Sequence, residues 1–246
     1  MTDRAVSDVV GYVLVFSLIV ATVGVVTTVG FSTLDDRQGA ERINNAERAF
    51  DVFATNVEDV YREGAPSRAT EMRFVDGTLR YGEPVSITIA DRDDPQTNVS
   101  VFPRPLVYAD GGTEIVYVAG SVIRSEQDSA VMLRDPPFYA DATAATFPLV
   151  DTFRTSGPGA TTPDGSLRVT STARSVDTTT PEAFEEADGY IVTVQSPRSD
   201  AWTRYLESHD GFSGVTHDEA DDTVEATIEA DRVDAPQFLI RLRISE

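Results

Sequence analysis

VVGYVLVFSLIVATVGVVTTVGFSTL, residues 9–34, is the stretch on which the fold of this chain turns. It runs for 26 residues without a charged side chain. As a helix it would span about 39 Å at roughly 1.5 Å per residue, and a bilayer core of about 30 Å takes roughly 20 such residues. A core helix of a globular protein rarely stays uncharged for so long. A cleaved secretory signal carries an apolar region of about 7–15 residues that ends at a small-residue cleavage site, and nothing of that kind follows Thr33. The stretch is therefore expected to be a retained, single transmembrane helix.

The residues before it set its direction. Arg4 is the only basic residue ahead of the span, and Asp35 and Asp36 follow it. Excess positive charge stays on the cytoplasmic side, so the N-terminus is expected inside and the C-terminal domain outside. The string Arg4-Ala5-Val6-Ser7-Asp8-Val9-Val10-Gly11 resembles the signal of archaeal type IV pilins and archaellins. The resemblance implies cleavage between Ala5 and Val6 by a prepilin peptidase, with Arg4, Ala5 and Val6 as the processing site. It also implies a filament core built from residues such as Val9, Gly11, Leu14, Phe16, Leu18 and Ile19. Asp8 stands where many archaeal pilins have proline, and the glutamate of bacterial pilins is missing. A looser likeness to haloarchaeal pilin-like membrane proteins rests on Ser7-Asp8-Val9-Val10-Gly11-Tyr12, on Asn44-Asn45-Ala46-Glu47-Arg48-Ala49-Phe50 and on Gly64-Ala65-Pro66-Ser67-Arg68.

Past the uncharged run the pattern stays helical but becomes one-sided. Ile43, Phe50, Phe53, Val57 and Val60 recur at the spacing of one helical face, with Arg42, Glu47, Arg48, Asp51, Glu58 and Asp59 around them. Gly64 and Pro66 form a stop signal. After Pro66 the period changes to two. Asp76-Gly77, between apolar runs at 72–75 and 78–81, predicts a hairpin. Further strands are expected at 85–89, 99–102, 106–108, 115–118, 131–133, 167–173, 190–194, 224–228 and 238–244. A short helix is expected at 199–208, capped by Ser199 or Asp200, and loops at 135–151 and 155–166. The predicted class is α+β: a long N-terminal helix, transmembrane and then amphipathic, followed by a mainly antiparallel, sandwich-like β-rich head with one short helix. The expected segments are a leader at 1–5, the membrane helix at 6–34, its amphipathic continuation at 35–64 and the head at 65–246.

Charge narrows the partners. There are 41 acidic and 20 basic side chains, a formal charge of −21, and no lysine is present. Such a surface repels nucleic acid. It is tolerable in molar salt, where screening shortens to about 3 Å, so the composition reads as salt adaptation. Cysteine is absent, which excludes disulfides and thiolate chemistry.

The residues that could carry chemistry are few. His209 and His217 are eight apart, with no metal-site logic and no evident nucleophile partner. The acidic runs at 91–94 and 218–222 do not fit a twelve-residue calcium loop. Asn98-Val99-Ser100 is a glycosylation sequon, usable if the head is exported. The expectation is a non-enzymatic, cofactor-free and metal-free pilin-like subunit or minor pilin at the cell surface. Its partners would be the membrane, a prepilin peptidase and further subunits met through the N-terminal helix, with no nucleic acid. The rival is a solitary single-span anchored binding domain that never polymerises. A membrane-anchored hydrolase is a third reading, without residues to nominate.

Overall fold

The structure is a computed structural model. It describes the backbone of residues 3–127, 129–155, 159–162, 165–178, 184 and 189–245, and the side chains of these except 3–9 and 27–36. The chain divides into two compact units, Met1–Arg42 and Ile43–Glu246.

Helix α1 (Asp3–Tyr61) opens the chain. In the first unit the described side chains at residues 10–26 are all exposed. In the second unit the face marked by the sequence spacing is buried: Ile43, Phe50, Phe53, Val57 and Val60, joined by Ala46 and Ala54. The helix stops where Gly64 adopts φ +71°, a left-handed conformation that costs glycine nothing. The Ala65 N–H then donates to the Asp59 carbonyl at 3.1 Å, closing a glycine-type C-cap, and Pro66 forbids continuation.

Among the described residues eighteen strands and one further helix follow. They are β1 (Ser67–Phe74), β2 (Thr78–Tyr81), β3 (Ser86–Asp91), β4 (Asn98–Val101), β5 (Leu106–Asp110), β6 (Thr113–Val118), β7 (Ser121–Glu126), β8 (Ser129–Arg134), β9 (Tyr139–Ala140), β10 (Ala145–Thr146), β11 (Leu149–Arg154), β12 (Ala160–Thr161), β13 (Gly165–Asp177), β14 (Tyr190–Gln195), α2 (Ser199–Glu207), β15 (Ser213–Asp218), β16 (Thr223–Ile228), β17 (Val233–Asp234) and β18 (Gln237–Ser245).

The expected α+β, sandwich-like class is corrected on two counts. Among the described residues 99 are strand and 68 helix, so the fold is mostly β. Among the described residues the strands form four sheets in a propeller-like arrangement, ordered β1-β13-β18-β11, β17-β10-β9, β12-β2-β5-β6-β7-β8 and β15-β16-β14-β3-β4. The likeness to a propeller lies in the number of sheets, because β1, β13, β18 and β11 come from distant parts of the chain. The six-stranded sheet decides the architecture. Its Leu106, Tyr108, Ile115, Tyr117 and Val122 enter the cluster that holds the buried face of α1. Its Val107, Val116, Val118 and Ile123 enter a second cluster with the five-stranded sheet and α2. A sandwich has one core between two sheets; here one sheet is covered on both faces, with a core on each side.

The turn at Asp76-Gly77 is also a correction. β1 pairs with β13 while β2 pairs with β5 and β12, so the turn is a corner between two sheets and not a hairpin. Gly77 takes φ +85°, and a Cβ there would lie 2.7 Å from the Tyr108 ring. The Tyr108 hydroxyl donates to the Asp76 carbonyl at 2.9 Å and fixes the corner.

The membrane-crossing helix is overturned as well. Among the described residues no helix is long and apolar enough to cross a membrane. Residues 27–34, on which the longer span depended, lie outside the described side chains. The transmembrane helix expected of a type IV pilin-like subunit is thus missing among the described residues.

Candidate functional site

Two features stand out from the fold: the exposed apolar stretch of α1, and a polar groove where β14 turns into α2. In the first, Leu14, Phe16, Leu18 and Ile19 are between 55% and 67% exposed. The rings of Tyr12 and Phe16 stack at 6.3 Å, one helical turn apart. A Cβ on Gly11 would meet nothing within 4 Å. Arg4, Ala5, Val6 and Val9 lie within the backbone of α1, but their side chains are outside the described residues.

The sequon residue Asn98 opens the edge strand β4 and is exposed. Its side-chain amide donates to the carbonyls of Pro95 (3.0 Å) and Gln96 (3.2 Å), and the Ser100 hydroxyl donates to its Oδ1 at 3.1 Å. The acidic run beside it serves the same turn. Asp91 Oδ1 accepts the Asp93 N–H at 2.8 Å, and Asp94 Oδ2 accepts the Thr97 hydroxyl at 3.0 Å.

The groove is built by the strand–turn–helix from β14 to α2. The Ser196 N–H donates to the Asp222 carbonyl at 2.9 Å, which ties the turn to the β15–β16 loop. Arg198 precedes the helix without a side-chain cap, so the expected capping by Ser199 or Asp200 is corrected. Ser199 lies inside the first turn, buried, with its Oγ 2.8 Å from His217 Nε2. Pairing of β15 with β16 brings His217 there, opposite Val224.

Arg198 turns the other way and hydrogen-bonds Glu114 of β6, which also accepts from Arg80 of β2 at 2.6 Å. Burial pushes the Glu114 carboxyl pKa up, but the bonds and charge of Arg198, then of Arg80, more than reverse it, leaving it below the ordinary range. This ion network locks the turn to the six-stranded sheet.

Two cavities of about 370 Å³ each adjoin here. Both are lined by Pro197 and Asp222, and Asp222 holds φ +52°. One is walled by Ser125, Gln127, Ser129, Ser199, Asp200 and His217. The other is walled by Pro84, Ser86, Phe102, Gln195 and Asp221. Among the described residues no group of three or more His, Asp or Glu side chains is placed to hold a metal ion. Ser199 and His217 have the contact of a nucleophile and its base. No carboxylate among the described residues hydrogen-bonds the other imidazole nitrogen, so the orienting third member of a triad is missing.

A family model matches residues 4–243, nearly the whole chain, under the description "Family of unknown function (DUF7289)". The chain belongs to DUF7289. No curated protein and no solved structure matches it.

In this DUF7289 chain the sequence reading left His217 without a partner because Ser199 is 18 positions away. Only the antiparallel return of β15 along β16 brings the two together. His209 sits at the opposite end of α2, its Nδ1 2.8 Å from the Tyr205 carbonyl and its ring 4.3 Å from that of Tyr205. The two histidines thus do not form one site. Phe102 carries a signal legible in the sequence, an aromatic residue at the end of a strand directly before Pro103.

Proposed function

We propose that this DUF7289 chain is a structural subunit that assembles with further copies of itself through the apolar stretch of α1. The observation behind this reading is that the large apolar side chains from Val10 to Val26 are each more than half exposed, with no charge among residues 10–26. Monomeric proteins rarely leave so large an apolar patch in water. A helix apolar all round needs cover on every side, which a single groove does not provide and a bundle of like helices does. Gly11, Ser17, Ala21 and Gly24 keep parts of its surface slim, so neighbouring helices can approach closely.

The test is the size distribution of the full chain in detergent-free buffer, by sedimentation velocity, beside a Leu14→Glu/Leu18→Glu variant. Large assemblies that the variant disperses, with the β fold unchanged by circular dichroism, support the reading. A monomer that stays monomeric, or that enters phospholipid vesicles as single copies without self-association, overturns it.

A further inference from the structure

We infer that the groove along the β14–α2 turn is a binding site for a neutral oligosaccharide. The first argument is shape. The two cavities both have Pro197 and Asp222 in their linings, which places two subsites next to each other along the turn, the arrangement an elongated ligand would need. The second is the chemistry of the walls. Hydroxyls of Ser86, Ser125 and Ser129, amides of Gln127 and Gln195, and the carboxylate of Asp222 offer donors and acceptors side by side. Sites for apolar ligands are lined mostly by hydrophobic side chains, and this one is not. A chain of sugar rings, each bearing adjacent hydroxyls that both donate and accept, matches it.

Phe102 supplies the third argument. It follows β4, whose Val99 and Val101 are buried, yet its own side chain is 60% exposed and takes no part in either core. A flat apolar ring beside Pro84 and Pro197, with polar side chains around them, offers a platform for the C–H face of a pyranose, through dispersion and weak C–H contacts. Charge selects among ligands. Asp200, Glu219, Asp221 and Asp222 border the groove, while Arg198 is engaged by Glu114. Anionic sugars are therefore repelled. A purely cationic ligand would leave the row of hydroxyls and amides without a role.

The experiment is saturation-transfer NMR on the full-length protein with maltotriose, cellotriose and chitotriose, and with triarginine as the cationic comparison. Because large particles transfer saturation well, it reads the groove whether or not the chain assembles, so it is independent of the proposed assembly. At least one trisaccharide is expected to receive saturation at its ring C–H protons, equally at about 0.1 M and about 1 M KCl, as a neutral ligand should. Phe102→Ala is expected to weaken binding about tenfold, the loss of roughly one covered ring face. Asp222→Asn should weaken it to a smaller extent. Both variants should retain the parent's melting temperature. The proposal is overturned if none of the three trisaccharides binds, if Phe102→Ala binds as well as the parent, or if triarginine binds more tightly and is released by salt.

Discussion

Residues 10–26 and 43–60 are parts of the same helix and draw on the same apolar residue types, yet their side chains meet opposite environments. In the first, Val10, Leu14, Leu18 and their neighbours are all exposed. In the second, Ile43, Phe50, Phe53, Val57 and Val60 are at most 7% exposed. The difference is one of pattern and not of hydrophobicity. The second stretch confines its apolar residues to one face and rings them with charges, so it fits one core in one orientation. The first is apolar all round and prescribes no single partner surface. A one-sided pattern specifies burial within the chain, whereas an all-round pattern requires cover from outside it.

The largest expected effect breaks this comparison directly. The Phe53 ring is fully buried, 4.9 Å from Tyr117 and edge-on to it. Phe53→Ala should cost about 3–5 kcal/mol, by lost transfer energy and the cavity left behind. Leu18→Ala, at a side chain 67% exposed, should change unfolding by less than about 0.5 kcal/mol. Guanidinium unfolding followed by Trp202 fluorescence measures both. Trp202 lies in the other core, so a single coincident transition would also show that the two cores unfold together. Equal effects of the two substitutions would erase the distinction between the stretches.

A smaller effect sharpens it. Arg134 of β8 reaches the charged flank of the buried stretch, donating to Asp51 at 3.1 Å, to Thr55 at 3.0 Å and to Glu58 at 2.5 Å. Arg134→Met keeps most of the apolar stem but leaves these acceptors without their shared donor. The expected loss is about 1–2 kcal/mol at low salt, shrinking as salt rises. Arg134→Lys should restore only part of it, because an ammonium cannot span three acceptors as a guanidinium fork does. The check is the salt dependence of the unfolding midpoint for the three proteins. A loss independent of salt would mean that Arg134 acts through packing alone.

The same contrast explains what the sequence made legible. The face at Ile43, Phe50, Phe53, Val57 and Val60 was readable because helical period and charge placement agree. The strands at 106–108 and 115–118 were readable because they form β5 and β6, which are neighbours in chain and in sheet. Asp76-Gly77 misled because turn chemistry fixes a local bend and not which sheets the flanking strands join. β7 was missed, and the run Ile115–Ile123 hid its role, because a strand buried on both faces loses the alternation that marks a strand covered on one. The parallel pairing of β11 with β18 joins residues nearly ninety positions apart and leaves no local trace. The groove was illegible for a related reason. Ser199 meets His217, and Phe102 shares a cavity with Asp221, only after the five-stranded sheet has formed. The membrane reading rested on the full length of an uncharged run, and among the described residues no helix is long and apolar enough to cross a membrane.

The smallest expected effect concerns alkaline pH and again falls on the buried part of the helix. Tyr61, at the end of α1, packs its ring 5.4 Å from Phe238, and burial first, then the charge of Glu58, raise its pKa to about 12 in spite of Arg62 and Arg134. The unfolded chain releases the same proton near pH 10. Below that pH both states hold the proton and the folded state keeps its full advantage. Above it the unfolded state ionises first, so stability is lost progressively between about pH 10 and the folded value near 12. Tyr81, with a pKa raised to about 12 by burial, and Tyr117, also raised by burial, add to the same loss, so one substitution removes only a share of it. Tyr61→Phe keeps the ring against Phe238 and removes the ionisable hydroxyl. It should leave the unfolding midpoint unchanged at pH 8 and move the alkaline limb upward by roughly a few tenths of a pH unit. Tyr12→Phe, at a ring 72% exposed in the other stretch, should leave the whole profile where it is. Denaturant midpoints taken from pH 8 to pH 12 decide the matter. An alkaline limb that moves with Tyr12 and not with Tyr61 would reverse the assignment of buried and exposed stretches from which the comparison starts.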